Sequence, residues 1–355
     1  MTKARFPAVL AYCRAGYEGE CGSELLAFAR TSGLNAELVA TPLSAYVLLR
    51  LDSPQPLSVL EQVFRLHRLI FSRQIVFSLT QLAELQPKDR AAPIAAAAAS
   101  FGQPFSDVWL ETADTNDAKE LSALCRRLAG PLQGELESAK LRESSAPVRL
   151  HVFFTSGSDA LVGVSTVANS SSWPMGIPRL RMPREAPSRS TLKLAEAFAS
   201  LLDDEERARL LKPGMRAVDL GAAPGGWSWQ VASRGLHVVA VDNGPMAVEV
   251  MGTGLVEHLR ADGFTWRPRR PVDWLFCDMV AKPARVAALV ADWLARGMAR
   301  RAIFNLKLPM KKRIEAVDQC RAAMEQIGRK AGVPIALRFK HLYHDRDEVT
   351  GYATR

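Results

Sequence analysis

One nine-residue turn constrains this chain more than any other feature. Asp219-Leu220-Gly221-Ala222-Ala223-Pro224-Gly225-Gly226-Trp227 follows the short apolar, β-branched run 216–220 and opens a helical pattern over 225–234. Strand, glycine turn and helix in succession begin an α/β unit. Glycine at 221, 225 and 226 leaves the backbone open to close approach by a ligand, where a Cβ would fill the space. A second strand, 237–241, ends in Asp242, where a carboxylate can accept hydrogen bonds from a ribose diol. NAD and S-adenosylmethionine both fit these features. Pro224 and the lack of Gly-x-Gly-x-x-Gly spacing argue against a pyrophosphate on the helix N-terminus. The competing reading is a glycine turn with a structural role alone.

At 355 residues with 48% hydrophobic content, the chain is long enough for two or three cores. Lys and Arg number 46 against 37 Asp and Glu, a net charge of +9 that favours a polyanionic partner. Cys13, Cys21, Cys125, Cys277 and Cys320 show neither C-x-x-C nor zinc spacing, so reduced thiols and a cytoplasmic protein without metal are expected. No apolar stretch approaches the roughly 20 residues of a membrane helix, and Met1 to Pro7 carries no apolar leader segment. Neither secretion nor membrane insertion is expected.

The chain falls into segments. Residues 1–84 read strand (9–13), helix (from 24), strands (36–40 and 45–50), helix (57–67) and strand (69–79), the ferredoxin-like order. Residues 85–169 form a second α/β unit, with helices at 93–101 and 117–129 and strands at 108–111, 148–154 and 160–165. Between 170 and 190, Pro174, Pro178, Pro183 and Pro187 alternate with Arg179, Arg181, Arg184 and Arg189, an extended linker able to meet phosphates or simply to stay solvated. Residues 191–355 alternate strands and helices, with strands ending at Leu220, Val241, Ala261, Cys277 and Leu306 and later ones at 334–340 and 349–353. A mainly parallel sheet follows.

In such a sheet, ligands sit at the carboxyl ends of the strands. Asp242, Asp262, Asp278 and Lys307 each follow a strand. Lys307 comes after an apolar run that Pro309 soon breaks, which places an amine at the mouth of the sheet, and partial burial is expected to lower its pKa. Lys193 follows Ser190, a candidate helix cap, in a helix whose apolar face is Leu194, Ala197, Phe198 and Leu201. On spacing alone Lys193 is an exposed first-turn residue and Glu348 a charged strand edge.

The segments Ser188-Arg189-Ser190-x-x-Lys193-Leu194, Asp219 to Trp227, Cys277-Asp278-Met279, Asn305-Leu306-Lys307 and Glu348-Val349 stand in an order that resembles the FtsJ-type RNA ribose 2'-O-methyltransferases. The match runs from about Ser188 to the C-terminus. It implies a Rossmann-fold methyltransferase domain with a seven-stranded, mostly parallel sheet. It also implies S-adenosylmethionine as cofactor and a tetrad of Lys193, Asp278, Lys307 and Glu348. Tyr12 to Glu18 and Pro187 to Leu194 further resemble members acting on bacterial 23S rRNA, where a cytidine ribose is methylated. In those proteins a ferredoxin-like domain and a THUMP RNA-binding domain come first, which assigns 1–84 and 85–169 respectively. No sharp motif marks the N-terminal half.

Under this resemblance Lys307 is the general base. Lys193 disfavours its protonation while Asp278 and Glu348 favour it, with the net shift left open by the sequence; Lys193 alternatively steadies the developing alkoxide, Asp278 orients Lys307 and the methyl group, and Glu348 positions either lysine. Ala223, Pro224, Gly225 and Gly226 meet the methionine part of the cofactor, Asp242 its ribose, Asp262 the adenine amino group, and Ser190 reaches it from the linker side. A monomer is the default. The alternatives are an RNA-binding THUMP protein with a base methyltransferase domain or with an inactive one. Against the first, Asp278-Met279-Val280-Ala281 stands where exocyclic-amine enzymes commonly carry Asn/Asp-Pro-Pro-Tyr. Three features keep plain readings: His341-Leu342-Tyr343-His344 as a surface or RNA-facing segment, Cys277 as a small core residue, and Lys311-Lys312-Arg313 as the opening of a long helix.

Overall fold

The computed structural model describes residues 4–355, so the first three residues of the stretch read as lacking a leader lie outside it. The chain divides into two compact units, one ending at Pro178 and one beginning at Arg179. Among the described residues no helix is long and apolar enough to cross a membrane.

The first unit contains β1 (Arg5–Tyr12), α1 (Glu18–Thr31), β2 (Ala36–Ala40), β3 (Tyr46–Pro56), α2 (Leu57–Val63), β4 (Gln74–Leu82), α3 (Ala91–Ala99), β5 (Asp107–Thr112), α4 (Leu121–Ser138), β6 (Val148–Phe154) and β7 (Ala160–Thr166). Its strands form one sheet in the order β2-β3-β1-β4-β7-β6-β5. Strand, helix, strand, strand, helix, strand holds through β4. That strand begins at Gln74 rather than Leu69, because Leu66–Arg68 form a 3-10 turn and Leu69 to Phe71 are buried before the ladder starts. The sheet runs on past residue 84: β4 pairs antiparallel with β7, Phe77 opposite Val164, so the two N-terminal segments share one seven-stranded sheet. The Pro174–Gly176 turn belongs to this unit, its Met175 N–H donating to Glu111 Oε1 on β5.

The second unit contains α5 (Ser190–Leu201), α6 (Asp204–Leu210), β8 (Arg216–Leu220), α7 (Gly226–Ala232), β9 (His237–Val241), α8 (Val248–Met251), β10 (Val256–Leu259), β11 (Val272–Cys277), α9 (Pro283–Ala295), β12 (Ala299–Lys307), α10 (Arg313–Lys330), β13 (Ala336–Lys340) and β14 (Glu348–Thr354). Its seven strands lie in the order β10-β9-β8-β11-β12-β14-β13. The first five pair in parallel, and β14 runs antiparallel to both of its neighbours. The sheet is therefore mostly parallel, as the alternation of strands and helices implies. The reversal follows from the short 341–347 connection, which is too brief for a parallel crossover.

The central strands are apolar on both faces because helices cover both. Trp274 and Phe276 stack at 5.4 Å between centroids, and Phe198 of α5 meets both edge-on. Burying a side chain the size of Phe198 stabilises by about 1.5–3 kcal/mol. Leu194, Ala197, Phe198 and Leu201 are all buried, as their helical spacing predicts. This apolar stripe clamps α5 to the sheet and so fixes the polar residues of its first turns.

Candidate active site

Three strand ends and one helix bring four charged side chains together at the mouth of the second unit's sheet. Asp278 directly follows β11, Lys307 is the last residue of β12, and Glu348 is the first of β14. Antiparallel pairing places Glu348 opposite Lys307, and Lys193 comes from the first turn of α5. Each lysine contacts both carboxylates. Lys193 Nζ bonds Glu348 Oε1 and lies 3.6 Å from Asp278 Oδ2. Lys307 Nζ bonds Glu348 Oε2 and lies 3.4 Å from Asp278 Oδ1.

The four differ in access. The Lys307 side chain is 31% exposed, against 17% for Asp278, 10% for Lys193 and 8% for Glu348, so Lys307 is the more open of the two amines. Burial raises the proton affinity of Glu348, but Lys193 and Lys307 outweigh it and hold the carboxyl below its usual range. For Lys307, burial pushes toward the neutral amine, yet Asp278 and Glu348 win and hold it above the ordinary lysine value. Partial burial acts in the expected direction, and the balance that the sequence left open falls to the carboxylates: two in contact exceed the desolvation of a one-third exposed ammonium.

Beside the tetrad lies the glycine turn. Gly225 has φ of 110°, a left-handed conformation that a side chain would strain. A Cβ on Gly226 would come within 2.1 Å of Ser190 Oγ and 2.5 Å of Ser188 Oγ, so a side chain there would displace both hydroxyls where α5 meets α7. Asp242 holds the turn from the end of β9, its Oδ2 accepting from Ala223 N–H at 3.1 Å and its Oδ1 from Gly244 N–H at 2.7 Å. A backbone cradle with a carboxylate at the next strand end fits S-adenosylmethionine. Asp262 is exposed, and its Oδ1 accepts from Phe264 N–H at 2.9 Å.

The pattern of the FtsJ-like methyltransferase family matches residues 186–321. The ferredoxin-like domain of the large-subunit methyltransferase M family matches 6–76, and the N-terminal region of ribosomal RNA large subunit methyltransferase M matches 89–166. Ribosomal RNA large subunit methyltransferase M of Aromatoleum aromaticum is 54% identical over 346 residues, covering 97% of this chain and 94% of that one. The chain belongs to the ribosomal RNA large subunit methyltransferase M family. Proteins of the same name from Thauera aminoaromatica and Methylococcus capsulatus are 52% and 48% identical, covering 98% and 97% of this chain and 95% and 97% of theirs.

Several sequence readings change in the structure. Ser190 does not cap its helix: Arg189 is the cap position, and the Ser190 hydroxyl lies 2.7 Å from that of Ser188, turned toward Gly226. Lys193 is no exposed first-turn residue and Glu348 no exposed edge, since both are buried and paired. The segment 341–344 is not a surface strip. His341 is 1% exposed, and His344 Nδ1 is 2.6 Å from Glu196 Oε2, which also accepts from His344 N–H.

Four polar residues received no role from the sequence, although Asp219 and Asn305 stand within its motifs. Asp219 is fully buried on β8 and accepts from Ser228 Oγ at 2.7 Å. Burial pushes its carboxyl up to about 7 and nearby Asp278 and Asp242 add to this, against the Ser228 hydrogen bond. Asn305, Thr350 and Asp345, all at 0% exposure, line up beneath Asp278. The one available signal was a polar residue at each of 305 and 350, inside the buried stretches 302–306 and 349–353 of their strands.

Proposed function

We propose that the protein transfers the methyl group of S-adenosylmethionine to the ribose 2'-hydroxyl of a cytidine in 23S rRNA, with Lys307 taking up the hydroxyl proton. The observation that carries this reading is the convergence of Lys193, Asp278, Lys307 and Glu348 at the sheet mouth, Lys307 being the most open. A ribose hydroxyl is a poor nucleophile at neutral pH. Its proton must leave as the oxygen attacks in line.

S-adenosylmethionine supplies a methyl group on a positively charged sulfur. Ala223, Pro224, Gly225 and Gly226 hold its methionine part, Asp242 its ribose, Asp262 the adenine amino group, and Ser190 reaches it from the start of α5. Lys307 accepts a proton only from its neutral form, so its two carboxylate contacts set the pH at which the site works. Lys193 stays paired with Glu348 and steadies negative charge growing on the attacking oxygen. Asp278 divides its two oxygens between the lysines and holds both amines in place.

In this reading residues 1–84 are a ferredoxin-like domain, 85–169 a THUMP-type RNA-binding module and 170–190 an arginine-bearing linker, with a net charge of +9 suited to rRNA. The protein acts as a monomer in the cytoplasm, without metal. Incubating the purified chain with S-adenosylmethionine and 23S rRNA from cells lacking the gene, then digesting to nucleosides for mass spectrometry, tests it. 2'-O-methylcytidine is the expected product, and a base-methylated nucleoside or none would overturn the reading. Lys307→Ala is expected to lose about 10²–10⁴ in rate while cofactor binding by calorimetry is kept.

A further inference from the structure

We propose that Asp345, Thr350 and Asn305 form a buried chain of neutral hydrogen-bond donors that positions Asp278, and that Asp345 works in its protonated form. Asn305 and Thr350 are cross-strand partners on β12 and β14. Each lies two residues inward from the Lys307 and Glu348 pair, and a period of two puts them on the same face of the sheet.

The hydrogens can be counted. Asn305 Nδ2 donates to Asp278 Oδ1 at 2.7 Å, and an ionised carboxylate can only accept, so the amide orientation is set and Asn305 Oδ1 faces Thr350 Oγ1 at 2.7 Å. A hydroxyl carries one hydrogen, which Asn305 takes. Yet both carboxyl oxygens of Asp345 lie within bonding distance of the same hydroxyl, at 3.2 and 3.0 Å. Ionised, Asp345 would set lone pairs against a lone pair. Protonated, it donates to Thr350, and its Oδ2 still accepts from Leu342 N–H at 3.1 Å. Every donor then points one way, from Asp345 through Thr350 and Asn305 to Asp278.

The charges around Asp345 agree. Burial raises its proton affinity most, and Glu348 of β14 and Glu196 of α5 add to that, while Lys193 opposes them. In its own loop His341 bonds the Arg346 carbonyl and His344 is tied to Glu196. The sum lies well above the ordinary carboxyl value. Asp278 is thus held by a neutral donor from below while its oxygens face the two lysines. Without that donor its carboxylate is free to turn, and the lysines lose their fixed spacing. These are positioning residues, acting on the reaction through Asp278.

The inference rests on the tetrad being a methyl-transfer site, so its test includes a measurement that does not need methyl transfer. In the full-length protein, Thr350→Val is expected to lower kcat roughly ten- to a hundredfold with the KM for S-adenosylmethionine unchanged, and Thr350→Ser to restore most of it. Asp345→Ala is expected to lose activity likewise and Asp345→Asn, which keeps a neutral donor, to rescue it. As pH rises through the folded-state value of Asp345, raised chiefly by burial, the wild type should lose rate that Asp345→Asn keeps. The raised carboxyl has the same sign in stability: its contribution is full below the ordinary carboxyl value and is lost as pH rises through the folded-state value. Asp345→Asn should therefore flatten the fall of Tm with rising pH, a readout independent of activity. Wild-type kcat and pH profile in Thr350→Val, or equal damage in Asp345→Asn and Asp345→Ala, would overturn the chain. If the wild type itself methylates no ribose, the functional reading fails, and the Tm profile still decides the protonation of Asp345.

Discussion

Each unit of the molecule buries a carboxylate against a basic side chain, and the two sites differ in access. In the first unit Glu111 Oε2 accepts from Tyr12 Oη at 2.7 Å and lies 2.7 Å from His151 Nδ1, and His151 Nε2 is 2.8 Å from Ser165 Oγ. Serine, histidine and carboxylate in sequence have the connectivity of a hydrolase triad. Yet Ser165 and His151 are 0% exposed and Glu111 1%, so no substrate reaches the hydroxyl. Burial opposes the charge on Glu111, but His151 and its hydrogen bonds more than compensate, and the group ties β1, β5, β6, β7 and the 174–176 turn together. In the second unit the Lys307 side chain keeps 31% exposure at the mouth of a sheet. Chemical competence is common to both sites. Access belongs to one.

Three substitutions would break or sharpen this contrast. Glu111→Ala has the largest expected effect: it leaves Tyr12 Oη, His151 Nδ1 and Met175 N–H without their shared carboxylate, at about 1–3 kcal/mol for each buried group left unsatisfied, read as a fall in Tm, with kcat per folded molecule unchanged. A loss of turnover without loss of Tm would give the first unit a catalytic role and end the contrast. Glu348→Gln is expected to lower kcat about tenfold, or roughly 1.4 kcal/mol, and to shift its pH dependence. Lys307 is held above the ordinary lysine value partly by Glu348, so with that charge gone the amine gives up its proton more readily. The rise of rate with pH should move to lower pH, and a move to higher pH would contradict the base assignment. Tyr12→Phe is the mildest, removing one of the donors to Glu111 for roughly 0.5–1.5 kcal/mol. Thermal melts should register it and methyl transfer should not.

The same contrast explains what could be read from the chain. Motifs bound to local structure were legible: the glycine turn between β8 and α7, the apolar stripe of α5, and the polar residues just after β9 and β11 all follow from periodicity and from the geometry of a strand running into a turn. Residues whose meaning depends on a distant partner were not. Lys193 and Glu348 looked like solvated charges because their pairing spans 155 positions, and resemblance rather than spacing brought them forward. His341 read as surface because nothing nearby in the chain shows what covers it. The Ser165, His151 and Glu111 group went unread, its members lying on three strands.

The sequence alone determined the α/β class, the ferredoxin-like order of the first strands, the mostly parallel sheet of the second unit and the glycine turn between β8 and α7, because these depend on side-chain period and on where glycine stands. Only the tertiary structure decided the rest. Antiparallel insertion of β14 beside β12 set Glu348 against Lys307 and Thr350 against Asn305, and register is fixed by packing across the sheet rather than by any local preference. The direction in which Lys307 is shifted was decided there too, because it depends on the balance between burial and two carboxylates, one following β11 and one on β14.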